Sequence, residues 1–169
     1  QCSPALSGWL FCFVILFAAC NGPDVEKFIM TPAARIAAVI EILADMQAAS
    51  EAGTLLGRQA GQWLRAGLQR RRYAGSGDRA AVGDLFWKIQ RGRARFGWHL
   101  ASINAPENPR NLTLAALVLM EQKSAALPQL FSAEIAHAPA PLDDREAALV
   151  AMLETRDFID PAMPEHIAL

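Results

Sequence analysis

Residues 30–49, MTPAARIAAVIEILADMQAA, decide the fold class. Thr31 stands where a hydroxyl accepts from a free backbone N–H, and Pro32 follows at the first helical position, where a missing N–H costs nothing. Ile36, Val39, Ile40, Leu43 and Met46 then recur at intervals of three and four, which predicts a helix over 32–49. The rest of the composition agrees with that start. Of 169 residues, 32 are alanine and 20 leucine, while valine, isoleucine and threonine together supply only 20, a ratio that favours helix over sheet. With 53% apolar and 20% charged residues the chain buries about one core and is no disordered tail. The expected fold is all-α, a bundle of about five to seven helices.

Beyond residue 49, Glu51-Ala52-Gly53-Thr54 breaks the first helix, and Leu56, Ala60, Trp63 and Leu64 share one face of a second over Leu55–Leu68, weakened by Gly57, Gly61 and Gly67. Residues 70–77, RRRYAGSG, read as a basic loop, with Ser76 as the N-cap of a long helix reaching His99 or Leu100. Val82, Leu85, Phe86, Ile89, Phe96 and Leu100 form its buried stripe. Pro106-Glu107-Asn108-Pro109 is a connection, after which Leu112–Gln122 is apolar all round and reads as the central helix. A short helix over Ala126–Ala136 and an Ala138-Pro139-Ala140-Pro141 linker follow. Asp143 with Glu146 then opens a helix to Thr155 in a capping box. The chain divides into residues 1–29, an apolar leader or upstream extension; 30–156, the helical domain; and 157–169, an irregular strap carrying Pro161 and Pro164.

Residues 9–20, WLFCFVILFAAC, are unbroken apolar sequence, but as helix they reach about 18 Å against the roughly 30 Å of a bilayer core. Phe17-Ala18-Ala19-Cys20 loosely resembles a bacterial lipoprotein cleavage site, yet no Lys or Arg precedes the apolar run. The preferred reading starts the domain at Met30 and places it in the cytoplasm. The alternative is a lipid-anchored extracytoplasmic protein modified at Cys20, so a membrane is a partner only if the leader is genuine. All three cysteines lie within the first twenty residues, and His99, His137 and His166 lack ligand spacing, so neither a disulfide scaffold nor a metal centre is expected.

The net charge of −1 conceals a segregation. From Arg58 to Arg95 ten basic residues face two acids, Asp78 and Asp84, and the remaining 131 residues carry the compensating −9. At about 100° per residue, Lys88, Arg91 and Arg95 share one side of the long helix, opposite its apolar stripe. Together with the preceding arginine run they suggest a surface for a nucleic-acid backbone, whose phosphates supply affinity and position with little sequence discrimination. The candidate RNA-binding residues are Arg70, Arg71, Arg72, Arg79, Lys88, Arg91 and Arg95; three or four contacts imply a slope of log affinity against log salt of about −2 to −3.5. Trp63, Trp87 and Trp98 suit a core better than base stacking, with Trp87, beside Lys88, the best placed for the latter. No Walker loop, dinucleotide fingerprint or catalytic triad occurs, and Asp143, Asp144 and Glu146 are explained by a helix start.

From Met30 onward the chain resembles the amino-terminal region of the Sun/Fmu (RsmB-type) family of ribosomal RNA cytosine-5 methyltransferases, a helical domain similar to the antitermination factor NusB. The resemblance is carried by Met30-Thr31-Pro32-Ala33-Ala34-Arg35 and by residues 72–85, RYAGSGDRAAVGDL, with its Asp78-Arg79-Ala80 core. Residues 112–119, LTLAALVL, and Met163-Pro164-Glu165-His166 follow in the family's order. The family pattern has a basic residue at Gly77 and often at Gly83; both are glycine here. The resemblance implies a NusB-like bundle over about 140 residues, with ribosomal RNA and a catalytic methyltransferase domain as partners. In such enzymes S-adenosylmethionine and the attacking cysteines belong to a downstream Rossmann-like domain. No catalytic residue carries over to this sequence, no cofactor is expected within it, and the strap would lead toward that domain. A purely protein-interacting scaffold, docking its basic face on an acidic partner, is the remaining alternative.

Overall fold

The computed structural model describes residues 30–54 and 59–168, and these form an all-α bundle in which no residue is in a strand. Helix α1, Pro32–Glu51, starts as its sequence dictates: Pro32 leads, and the Thr31 hydroxyl accepts from the Ala34 N–H at 3.1 Å. Helix α2 spans Ala60–Arg70; Leu55, Leu56, Gly57 and Arg58, where a start was expected, lie outside the described residues. Its Gly67 is a packing device: a Cβ there would lie 2.4 Å from Cγ1 of Ile42, itself buried in α1. Only a glycine lets the two helices cross this closely.

Helix α3, Ser76–Ser102, is capped by Gly75, one residue earlier than Ser76. The shift follows from Asp78, whose carboxylate reaches back to accept from the Gly75 N–H at 3.1 Å, and so closes the first turn itself. Helix α4, Pro109–Leu119, begins three residues before the predicted Leu112, because the Asn108 side chain accepts from the Asn111 N–H at 2.7 Å and Pro109 takes the first position. It stops before Gln122, which adopts a left-handed φ of 50°. Of the helix expected over Ala126–Ala136 only the single turn α5, Leu127–Leu130, forms, preceded by a 3-10 turn, Ser124–Ala126. Phe131 leaves helical geometry (φ −113°, ψ 79°) with its ring buried in the core. Helix α6, Asp144–Glu154, has the predicted capping box, and α7, Glu165–Ala168, is one short turn.

Helix α4 is the hub, packed on α1, α3 and α6, with every residue from Asn111 to Leu119 buried. Phe86, Ile89, Phe96 and Leu100 of α3 meet Val39 and Ile42 of α1 and Leu153 of α6 in one core. No helix among the described residues is long and apolar enough to cross a membrane.

The stretch after α6 is a strap tied back onto α3. The Phe158 ring sits 5.5 Å from Phe96, Met163 is buried, and the Phe158 carbonyl lies 3.3 Å from Nε2 of His99. His99 is wholly buried, and burial pushes its imidazole below its ordinary value of 6.5 against the opposite pull of the Phe158 carbonyl. The folded state therefore binds fewer protons at His99 than the unfolded chain, and its contribution is complete above pH 6.5 and declines as pH falls below it. Unfolding by denaturant at pH 7.5 and 5.5 should show lower stability at 5.5, by at most about 1.4 kcal/mol per pH unit for one proton. His99→Gln should flatten that limb; an unchanged limb would assign it to other groups.

Candidate nucleic-acid interface

The α2–α3 connection is built by its own residues. Arg70 closes α2, where a cation suits the negative end of the helix dipole, and pairs with Asp45 across the α1–α2 crossing. Arg71 folds under: its Nη1 donates to the Gly67 carbonyl at 2.9 Å, its Nη2 pairs with Glu41, and its side chain is 9% exposed. Arg72 is exposed and has no partner among the described residues, and Tyr73 beside it is 52% exposed. The buried Ala74 accepts Nε of Arg79 on its carbonyl at 3.0 Å, so Arg79 buttresses the loop.

Three of the predicted residues lie farther along α3, and two of these have structural work. Lys88 sits between Asp84, at 2.8 Å, and Glu121, which Lys123 also reaches at 2.9 Å. Its hydrogen bonds to Asp84 and then Glu121 hold the ammonium above its ordinary range, while Lys88 followed by Lys123 holds Glu121 below its own. The four charges cancel locally. Arg95 donates to the carbonyls of Ile167 at 3.2 Å and Ala168 at 2.8 Å, with its guanidinium 5.1 Å from the centre of the Phe158 ring. It secures the strap and the last described turn. Arg91 is exposed and has no partner among the described residues. Since Arg79 and Arg95 are separated by about 24 Å of helix, the seven residues divide into a loop group and a helix group. The first keeps Arg70, Arg72 and part of Arg79 available to solvent; the second keeps Arg91.

The loop group borders a cleft of about 530 Å³ between α1, the α2–α3 loop and the segment 137–139. Ala34, Ala37 and Ala38 line it along α1, and Arg70, Arg71 and Tyr73 line it along the loop. Arg110 also reaches it, a residue that the charge pattern missed because it lies outside the basic window. Its guanidinium pairs with Glu146, donates to the carbonyls of Ala140 at 2.7 Å and Pro141 at 3.0 Å, and lies 4.9 Å from the Phe131 ring centre, so it holds the far wall. His137, at the lip, has a left-handed φ of 62°. A second cleft, of about 570 Å³, lies against α6, where Asp143 and Glu146 are occupied by the helix cap and Arg110.

The tryptophans mostly serve packing: Trp63 is half-buried against the core, Trp98 meets His99 edge-on at 5.0 Å, and Trp87, 38% exposed, meets Phe86 edge-on at 5.3 Å. Among the described residues no three His, Cys, Asp or Glu side chains gather as a metal site. The described residues contain no strand, and so no strand–glycine loop–helix unit. Comparison with protein-family models, with curated proteins and with solved structures returns no match to this chain.

Proposed function

We propose that this chain is an RNA-binding or docking helical module, acting in the cytoplasm, that positions ribosomal RNA for a cytosine-5 methyltransferase through contacts to phosphate. The observation that supports it is the exposure of Arg70, at the end of α2, and of Arg72, which has no partner among the described residues, beside a cleft that Arg71 and Arg110 also reach. The carboxylate on Arg70 does not lock it: the Arg70–Asp45 pair, 59% and 39% exposed at the side chain, is worth about 0–1 kcal/mol, so exchanging Asp45 for a phosphate is nearly neutral. Lys88 and Arg95 drop out of the interface on this reading because their partners are structural. The family resemblance supplies the parent enzyme, and the loop supplies the contact.

The test is fluorescence anisotropy of a labelled single-stranded ribosomal RNA fragment between about 50 and 200 mM salt. Three phosphate contacts, from Arg70, Arg72 and Arg79, give a slope of about −2 for a single strand. Arg70→Glu with Arg72→Glu should weaken binding roughly tenfold or more, and Arg91→Glu should weaken it less. A salt-independent affinity, or a double variant that binds as the unmodified chain does, sinks the reading.

A further inference from the structure

We infer that the cleft between α1 and the α2–α3 loop is a slot for one unpaired nucleobase of the bound strand, with Tyr73 as its stacking platform; this rests on the proposed RNA-binding reading and names its ligand. The volume of about 530 Å³ falls in the range that takes a small organic ligand and far exceeds what a phosphate group alone needs. Along α1 the lining is Ala34, Ala37, Ala38, Ile40 and Glu41, so most of this floor is small and apolar. Tyr73, the one tyrosine in the chain, exposes about half its surface at the edge of that floor. An exposed aromatic on a tight loop gives up apolar burial unless something covers it, and single-stranded RNA is commonly read by splaying a base onto such a ring.

Charge settles the orientation. Arg70 is at the cleft and Arg72 next to Tyr73 in the loop, so a nucleotide whose base enters the slot brings its phosphate to guanidinium groups rather than to carboxylates. Of the three lining arginines, Arg71 is held by Glu41 and Arg110 by Glu146, so the exposed Arg70, whose pair with Asp45 is open to solvent, is the one a phosphate can reach. Glu41 is an exposed acceptor at the same cleft, suited to the exocyclic amine of a base. The opposite wall runs from His137, with its left-handed φ of 62°, to Pro139, and Arg110 donates to the carbonyl of Ala140 immediately after it. The slot therefore has a helical floor, a far wall followed by the carbonyl that Arg110 holds, and one exposed aromatic face.

The experiment is an NMR titration of the full, nitrogen-15-labelled chain with each of the four nucleoside 5′-monophosphates and, as a control without a base, ribose 5-phosphate. At millimolar concentration at least one mononucleotide should shift the amides of Ala37, Ala38, Tyr73 and Ala138, with ribose 5-phosphate at least tenfold weaker. Tyr73→Ala should raise the mononucleotide Kd about fivefold or more, the lower end of what stacking one base contributes. Ala37→Leu, which fills the floor without touching a charge, should abolish the shifts while the dispersion of its spectrum shows it folded. Equal binding of ribose 5-phosphate, no shift with any mononucleotide, or unchanged binding by both variants overturns the slot. The two claims separate cleanly: salt-dependent RNA binding that persists in Tyr73→Ala without change sinks the slot alone. Mononucleotide binding at these amides without RNA binding sinks the proposed function alone.

Discussion

Asp78→Ala should lower the free energy of unfolding by about 3 kcal/mol, measured by denaturant unfolding at neutral pH. One carboxylate, 3% exposed, closes three parts of the molecule. Its Oδ2 accepts from the N–H of Met30, ahead of α1, and from the N–H of Gly75, both at 3.1 Å. Its Oδ1 pairs with Arg35 of α1 at 2.9 Å. Removing it strands the buried Met30 N–H, at about 1–3 kcal/mol, takes the helix-closing acceptor from the exposed Gly75 N–H, at about 1 kcal/mol, and leaves Arg35 to solvent. Asp78→Asn keeps one acceptor and should recover roughly half. Burial works to raise this carboxyl, but the Met30 and Gly75 donors, with Arg35, outweigh it and hold it below its ordinary 3.8. A depressed carboxyl contributes stability that is complete above pH 3.8 and is lost as pH falls through the lower folded value. The unmodified chain should therefore lose stability along an acid limb below about pH 4 that Asp78→Asn lacks. An Asp78→Ala protein with unfolding midpoint and slope unchanged would show that these three contacts are absent in solution.

Gly67→Leu should cost about 3 kcal/mol, or about 10 °C in Tm for a domain of this size, because the α1–α2 crossing has no room for a side chain. The atom in the way is Cγ1 of Ile42, and Ile42 is 1% exposed, so it cannot swing aside into solvent. Gly77→Ala is the matched control. Nothing lies within 4 Å of a Cβ at Gly77, and alanine there should be neutral or slightly stabilising through the unfolded chain. If both substitutions behave alike in thermal melts, the close crossing does not exist.

These two residues also mark where the sequence could be read and where it could not. Helix α1 was legible because its cap, its leading proline and its apolar period are all local. The Asp143–Glu146 capping box was legible for the same reason. Gly67 read as a weakness in α2, since a glycine seen along the chain registers only its intrinsic cost, whereas its reason is Ile42, on another helix. Asp78 was visible as part of a short signature, but its partner Met30 is 48 positions away. The same limit governs the candidate interface. A run of three arginines is obvious in sequence, yet only the fold buries Arg71 against Gly67 and Glu41 while leaving Arg72 exposed. Arg95 belonged to a basic helix face by angle alone, until carbonyls more than seventy residues later claimed it. Arg110 gave no signal, because its counter-charge, Glu146, is 36 residues distant. Linear charge density records where cations are made, and the packing of acids against them decides which remain available.

Helix α4 has solvent on none of its sides from Asn111 to Leu119. Its amide hydrogens can reach deuterium only when the neighbouring helices separate, so those of Leu114 to Leu117 should be the last in the chain to exchange and should report global unfolding. The Arg70–Tyr73 loop lies outside that slow kernel. A ligand held there can loosen or tighten the loop's own exchange by large factors while the kernel registers only the binding free energy itself.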